Sequence, residues 1–146
     1  MTAQVYEKIR YQGQRLRLAT CPDFPLDHPR IKTLSDHEFW EGDHDDTIGS
    51  TACWREYIGS WSIRRGKLYL TKLEGRFWIE GQEAIFAEWF TGQLCIPRGR
   101  LLNYVHSGFN SVYEEEINLA IERGVVRETG VTAPMTSAIK LFSERD

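Results

Sequence analysis

The sequence predicts a mainly β protein, or a β-rich α+β protein, built as an antiparallel meander of hairpins with one or two short helices. Three observations carry this. Short segments rich in aromatic and β-branched residues recur, as in Tyr57–Ile63 and Lys67–Leu73. Glycines stand where turns would fall, at Gly13, Gly66, Gly99 and Gly124. No βαβ spacing or internal repeat interrupts the series. A twisted sheet, a sandwich and an incomplete barrel all satisfy the pattern. A chain of 146 residues is expected to form one domain, 1–146, and to bury a core without a disulfide or metal staple.

Glu7–Tyr11 and Gln14–Leu18 read as a first hairpin turned at Gln12-Gly13. A two-residue loop sets Ile9 opposite Leu16, apolar against apolar. Lys8, Arg10, Arg15 and Arg17 then form a basic outer face, the solvated side of an edge strand. Pro22, Pro25 and Pro29 make Cys21–Arg30 an extended loop. Ser35 and Glu38 have the spacing of a capping box, opening a short helix through Trp40. Asp36, Glu38, Glu41, Asp43, Asp45 and Asp46 then fall in a stretch with no Lys or Arg, which reads as exposed.

The central stretch is Trp54–Leu73. With Arg64-Arg65-Gly66 as a three-residue loop, Ile63 faces Lys67, Trp61 faces Tyr69, Gly59 faces Thr71 and Tyr57 faces Leu73. Arg76–Ile79 adds a short strand. Glu83–Trp89 has apolar spacing that suits helical turns and aromatics that suit a strand. Phe90–Ile96 and Arg100–His106 read as a hairpin turned at Pro97-Arg98-Gly99, with Leu94 opposite Leu102, Gly92 opposite Tyr104 and Phe90 opposite His106. Val112–Arg123 fits either an amphipathic helix or a strand. The alternation in INLAI and the turn at Glu122-Arg123-Gly124 favour the strand, returning through Val125 and Arg127. Thr129–Thr136 reads as loop, and Ile139 and Leu141 as a last strand.

A net charge of -3 and a pI near 5.8 argue against a general nucleic-acid binder. The N-terminus MTAQVYEKIRYQ has no signal-type apolar region, and no run is long enough for a membrane span. Cys21, Cys53 and Cys95 are odd in number and lack metal-ligand spacing, which fits reduced thiols in a cytoplasmic setting. Cys53 and Cys95, among apolar residues, read as buried and inert. No nucleophile elbow, phosphate loop or dinucleotide fingerprint is present, and no cofactor is expected. Asp43-His44-Asp45-Asp46 lacks EF-hand spacing, so no metal is expected either.

Two blocks, CWREYIGSWSIRRGKLYLTKLEG (53–75) and IFAEWFTGQLCIPRGRLLNYVHSGFNSVYEEE (85–116), resemble a group of small uncharacterised bacterial proteins associated with toxin–immunity loci. The resemblance implies a protein partner, a toxin or effector, and supplies no active residues. The leading expectation is a non-catalytic, cytoplasmic protein-binding module. It would act as an immunity or inhibitor protein and meet a basic cleft with its acidic residues, Asp36, Glu38, Glu41, Asp43, Asp45 and Asp46. No nucleic acid or membrane is expected as partner.

Two alternatives stand beside it. A small-molecule or carbohydrate-binding β-domain would use Trp54, Trp78, Trp89, Tyr104, His106 and Tyr113. Gly59-Ser60-Trp61 also matches the short G-x-W element of lipocalins, though mid-chain. A small enzyme would use His106 and Glu114 as an acid–base pair.

Overall fold

Three hairpins share one device, a two-residue turn in which both residues have positive φ. The pairs are Gln12-Gly13 (51° and 76°), Arg65-Gly66 (52° and 74°) and Arg123-Gly124 (50° and 80°). This is the type I′ pattern, whose twist matches the right-handed twist of the flanking strands. The computed structural model describes residues 4–41, 48, 53, 55–103 and 112–132. They contain β1 (Glu7–Tyr11), β2 (Gln14–Leu18), β3 (Ile31–Thr33), α1 (Asp36–Glu41), β4 (Tyr57–Arg64), β5 (Lys67–Gly75), β6 (Phe77–Ile79), β7 (Ile85–Phe86), β8 (Gly92–Asn103), β9 (Val112–Glu122) and β10 (Val125–Thr132). The described residues are β-rich with one short helix, as expected.

The main sheet runs β2-β1-β4-β5-β10-β9-β8, with β7 pairing with β5, and β3 and β6 form a small second sheet. The β1–β2 register sets Ile9 opposite Leu16 as expected. The sheet is not a pure meander, because β1 lies parallel to β4. A parallel neighbour needs a crossover connection, here the segment carrying β2, β3 and α1. Among the described residues the sheet is not closed into a barrel. Its ends nevertheless meet at one point: the Ala19 N–H donates to the Cys95 carbonyl at 2.8 Å, and the Cys95 N–H to Thr20 Oγ1 at 2.9 Å.

The type I′ turn corrects the central register. Arg64 pairs with Lys67, Ile63 with Leu68 and Trp61 with Leu70, not Tyr69. A bulge on β5 then places Gly59 opposite Leu73 and Tyr57 opposite Gly75. Trp61, Leu68, Leu70 and Leu73 point into the core, while Tyr69 leaves it and packs against Phe86 at 5.7 Å. The same turn pairs Glu122 with Val125, so Glu122 is not a loop residue.

Pro97-Arg98-Gly99 is not a turn. β8 runs straight through it and pairs with β9, so Leu94 opposes Leu119 and Gly92 opposes Ile121. Arg98 meets Glu115 across the ladder in an ion pair of 2.8 Å. β8 is the last strand of the sheet, where a residue without an N–H is tolerated. Gly99, at φ 87°, marks the register shift that follows. Phe90 precedes this strand and pairs with nothing in it.

Residues 112–122 are strand rather than helix, and β10 continues to Thr132 where a loop was expected from Thr129. Within Glu83–Trp89 only Ile85–Phe86 is regular, as strand. Ile139 and Leu141 lie outside the described residues.

The Ser35 and Glu38 side chains cap each other's backbone N–H groups at 3.2 and 3.1 Å, completing the expected capping box. The main core gathers Trp61 with Ile9, Leu18, Leu94, Ile117 and Leu119. A smaller one under α1 joins Phe39, Ile48, Cys53 and Ile58.

Candidate functional site

Residues directly opposite in a sheet point to the same side. The β1–β2, β1–β4 and β4–β5 registers therefore build three rows on the outer face. Arg17, Lys8, Ser60 and Lys72 form one row; Arg15, Arg10, Ser62 and Tyr69 the next; Arg64 and Lys67 the third. Lys8, Arg10, Arg15, Arg17, Arg64, Lys67 and Lys72 are all exposed, whereas Ser60 is half-buried and Ser62 buried. Ser60, small between Lys8 and Lys72, leaves a trough. It opens as a groove of about 520 Å³ flanked by Lys8, Arg10, Arg15, Arg17 and Lys72. A second hollow of about 560 Å³ continues from Thr71 past Arg64, Arg65, Tyr69, Gln82 and Glu83. The Thr71 hydroxyl, on the bulge, donates to the Ser60 carbonyl at 2.9 Å and fixes the junction.

Among the described residues Glu74 is the only carboxylate lining the first groove, and it lies 3.6 Å from Lys8 and 3.3 Å from Lys72. Arg17 donates to the Tyr113 hydroxyl at 2.7 Å and stacks over its ring at 5.8 Å. Arg10 and Arg15 make no ion pair among the described residues. This face is strongly positive on a chain whose net charge is -3.

Beneath the face, on the inner side of β1, sits Glu7, with no solvent exposure. It accepts the Gly59 N–H at 2.6 Å, the Trp61 indole N–H at 3.3 Å and the Arg55 guanidinium at 2.9 Å. A Cβ on Gly59 would stand 2.5 Å from Glu7 Oε1 and 2.9 Å from Trp61 Nε1. Gly59-Ser60-Trp61 is thus explained from within: the glycine admits the carboxylate and the tryptophan donates to it. Burial raises the Glu7 pKa, against the pull of Arg55 and the Gly59 N–H. Burial opposes the Arg55 charge, but Glu7 and the thiols of Cys21 and Cys53 outweigh it and raise its pKa. Arg55 Nε and Nη1 are buried without a hydrogen-bond partner among the described residues. Sequence reasoning missed Glu7, although its parity with Ile9 and Tyr11 on β1 was the available signal.

The acidic candidates divide. Asp36 is exposed but paired with Arg76 at 2.8 Å, and Arg76 also holds Glu56 at 3.0 Å and covers Phe39 at 4.3 Å. Glu38 caps α1 and Glu41 is exposed. Asp43, Asp45 and Asp46 lie outside the described residues, as do Trp54, Tyr104 and His106. The His106–Glu114 pair therefore has one described member. Glu114 is half-buried beside Gly99. Trp78 is exposed on β6 opposite Lys32. Trp89 packs on the main core and donates to the Asp23 carbonyl at 2.7 Å. Tyr113 is buried, and neither Trp78 nor Trp89 lines the two grooves.

The cysteines are free: Cys53 is buried, and Cys21 and Cys95 are partly so, which corrects the expectation of full burial for Cys95. Burial pushes the thiols of Cys21 and Cys95 up to about 11. Among the described residues no three His, Cys, Asp or Glu side chains gather as a metal site. No described helix is long and apolar enough to cross a membrane. Comparison with protein-family models, curated proteins and solved structures returns no match.

Proposed function

We propose that this chain is a non-catalytic protein-binding module that receives an acidic partner on the outer face of β1, β2, β4 and β5. The observation that carries the reading is the trough floored by Ser60 and walled by Lys8, Arg10, Arg15, Arg17 and Lys72. Concentrated charge of one sign speeds encounter with a complementary surface and sets its orientation. Arginine, prominent on this face, is also enriched in protein interfaces.

An immunity or inhibitor role, as the resemblance implies, fits an effector that offers an acidic patch. The segment of acids from Asp36 onward is the weaker surface, because Asp36 and Glu38 are already engaged within the chain. The test is affinity capture from the native host with wild type and with an Arg10→Glu/Arg15→Glu variant. The expected result is a partner lost by the charge reversal and weakened by salt, yet retained when Asp36, Glu38 and Glu41 are neutralised. A partner indifferent to the reversal and to salt would overturn the reading.

A further inference from the structure

The spacing of the cations says more about the partner than their sign does. Within β1, Lys8 and Arg10 are two residues apart; within β2, so are Arg15 and Arg17. Cross-strand pairing brings them into register with Ser60 and Ser62 of β4, and Arg64 continues the series. Successive rows are therefore about 6.7 Å apart, two strand residues at roughly 3.3–3.4 Å each. An extended peptide repeats its own side chains on one face at that same interval. A helix repeats every 5.4 Å or so per turn and falls out of step within a few rows.

The trough floor is small where a backbone would lie, at Ser60, with Ser62 buried in the next row, and its walls are long and mainly positive, Lys8 and Arg10 against Lys72, with Glu74 between Lys8 and Lys72. A single-stranded nucleic acid would call for exposed rings on which bases stack. Tyr69 is the aromatic in these rows, and it is already covered by Phe86 at 5.7 Å and Arg64 at 5.6 Å.

We infer that the segment bound here is an extended acidic peptide of the partner with a carboxylate at every second residue, laid along β4 from Ser60 towards Arg64. This inference rests on the basic-face reading above. Its carboxylates meet the row of Arg17, Lys8 and Lys72, then the row of Arg15 and Arg10, then Arg64.

The test is fluorescence anisotropy with the full chain and three labelled probes. They are a peptide alternating Glu with Thr, a peptide of the same composition with its glutamates in one block, and a single-stranded oligouridylate. The alternating peptide is expected to bind about tenfold more tightly than the block peptide, a ratio worth ~1.4 kcal/mol. The Arg10→Glu/Arg15→Glu variant, checked for unchanged circular dichroism, is expected to abolish the difference. Arg15→Glu alone, on the exposed edge, should reduce it and serves if the double variant misfolds. Equal affinity for both peptides, lost together in the variant, overturns the alternating pattern and leaves the basic face standing. Binding unaffected by either variant overturns both. Tighter binding of the oligouridylate than of either peptide overturns the peptide in favour of nucleic acid.

Discussion

The Glu7 carboxylate accepts the Gly59 backbone N–H at 2.6 Å from a position with no solvent exposure. It joins β1 to β4, the one parallel pairing among the described residues of the main sheet, and fixes Trp61 and Arg55 as well. Removing one member of a buried ion pair strands the other. Glu7→Gln is therefore expected to lower the unfolding free energy by about 3–5 kcal/mol, read by urea titration. The pH dependence has a sign. The Glu7 pKa in the folded chain lies above its usual 4.5, so the folded state holds its proton longer than the unfolded one. This group's contribution falls as pH rises from 4.5 through the folded value, and Glu7→Gln should remove that part of the profile.

Gly59→Ala places a methyl 2.5 Å from Glu7 Oε1. Overpacking of this kind costs about 1–3 kcal/mol. In a Glu7→Ala background the nearer obstruction is gone and Trp61 Nε1, at 2.9 Å, remains, so the same change should cost less. A double-mutant cycle with no coupling would separate the two residues.

The thiols of Cys21 and Cys95 are held to about 11, against an ordinary value of 9.0. Between these values the folded chain binds more protons than the unfolded one. Stability is therefore expected to decline as pH climbs from 9 to 11. Alkylation by iodoacetamide at pH 8 should be slow in the native protein and fast in urea, because the thiolate is the reactive form. Native thiols that label as fast as a free cysteine would contradict the burial.

Trp61 fills the centre of the main core with 1% of its surface exposed. Trp61→Ala is expected to cost about 3–5 kcal/mol. A variant that melts within a degree of wild type would contradict this packing. At α1, Ser35→Ala should cost about 1 kcal/mol through loss of the cap.

How much of this was legible depended on range. The first hairpin could be read from parity alone, because only one loop length sets Ile9 against Leu16. The central register could not. It turns on Arg65 taking a left-handed φ of 52°, which nothing in Arg-Arg-Gly announces. Pro97 and Gly99 carry turn chemistry in sequence, yet as an edge residue and a bulge they let β8 continue. The Lys and Arg residues of β1 and β2 were visible as a basic face. What was not visible was the parallel pairing of β1 with β4, which brings Ser60, Ser62 and Lys72 alongside them and turns an edge into a trough. Glu7 was hidden for the same reason, since its partners Arg55, Gly59 and Trp61 come from across that pairing.

The turns at Gly66 and Gly124 clasp each other: Val126 donates to the Gly66 carbonyl and Leu68 to the Gly124 carbonyl, each at 2.8 Å. A Cβ on Gly124 would stand 2.6 Å from the Ala87 carbonyl oxygen. Hairpin tips are ordinarily where a chain accepts inserted residues, tags or new termini. Here both tips work as dovetails, and lengthening either would prise β5 from β10. The tip at Gln12-Gly13, where a Cβ on Gly13 meets nothing within 4 Å, is the place to graft an epitope or break the chain for a circular permutant.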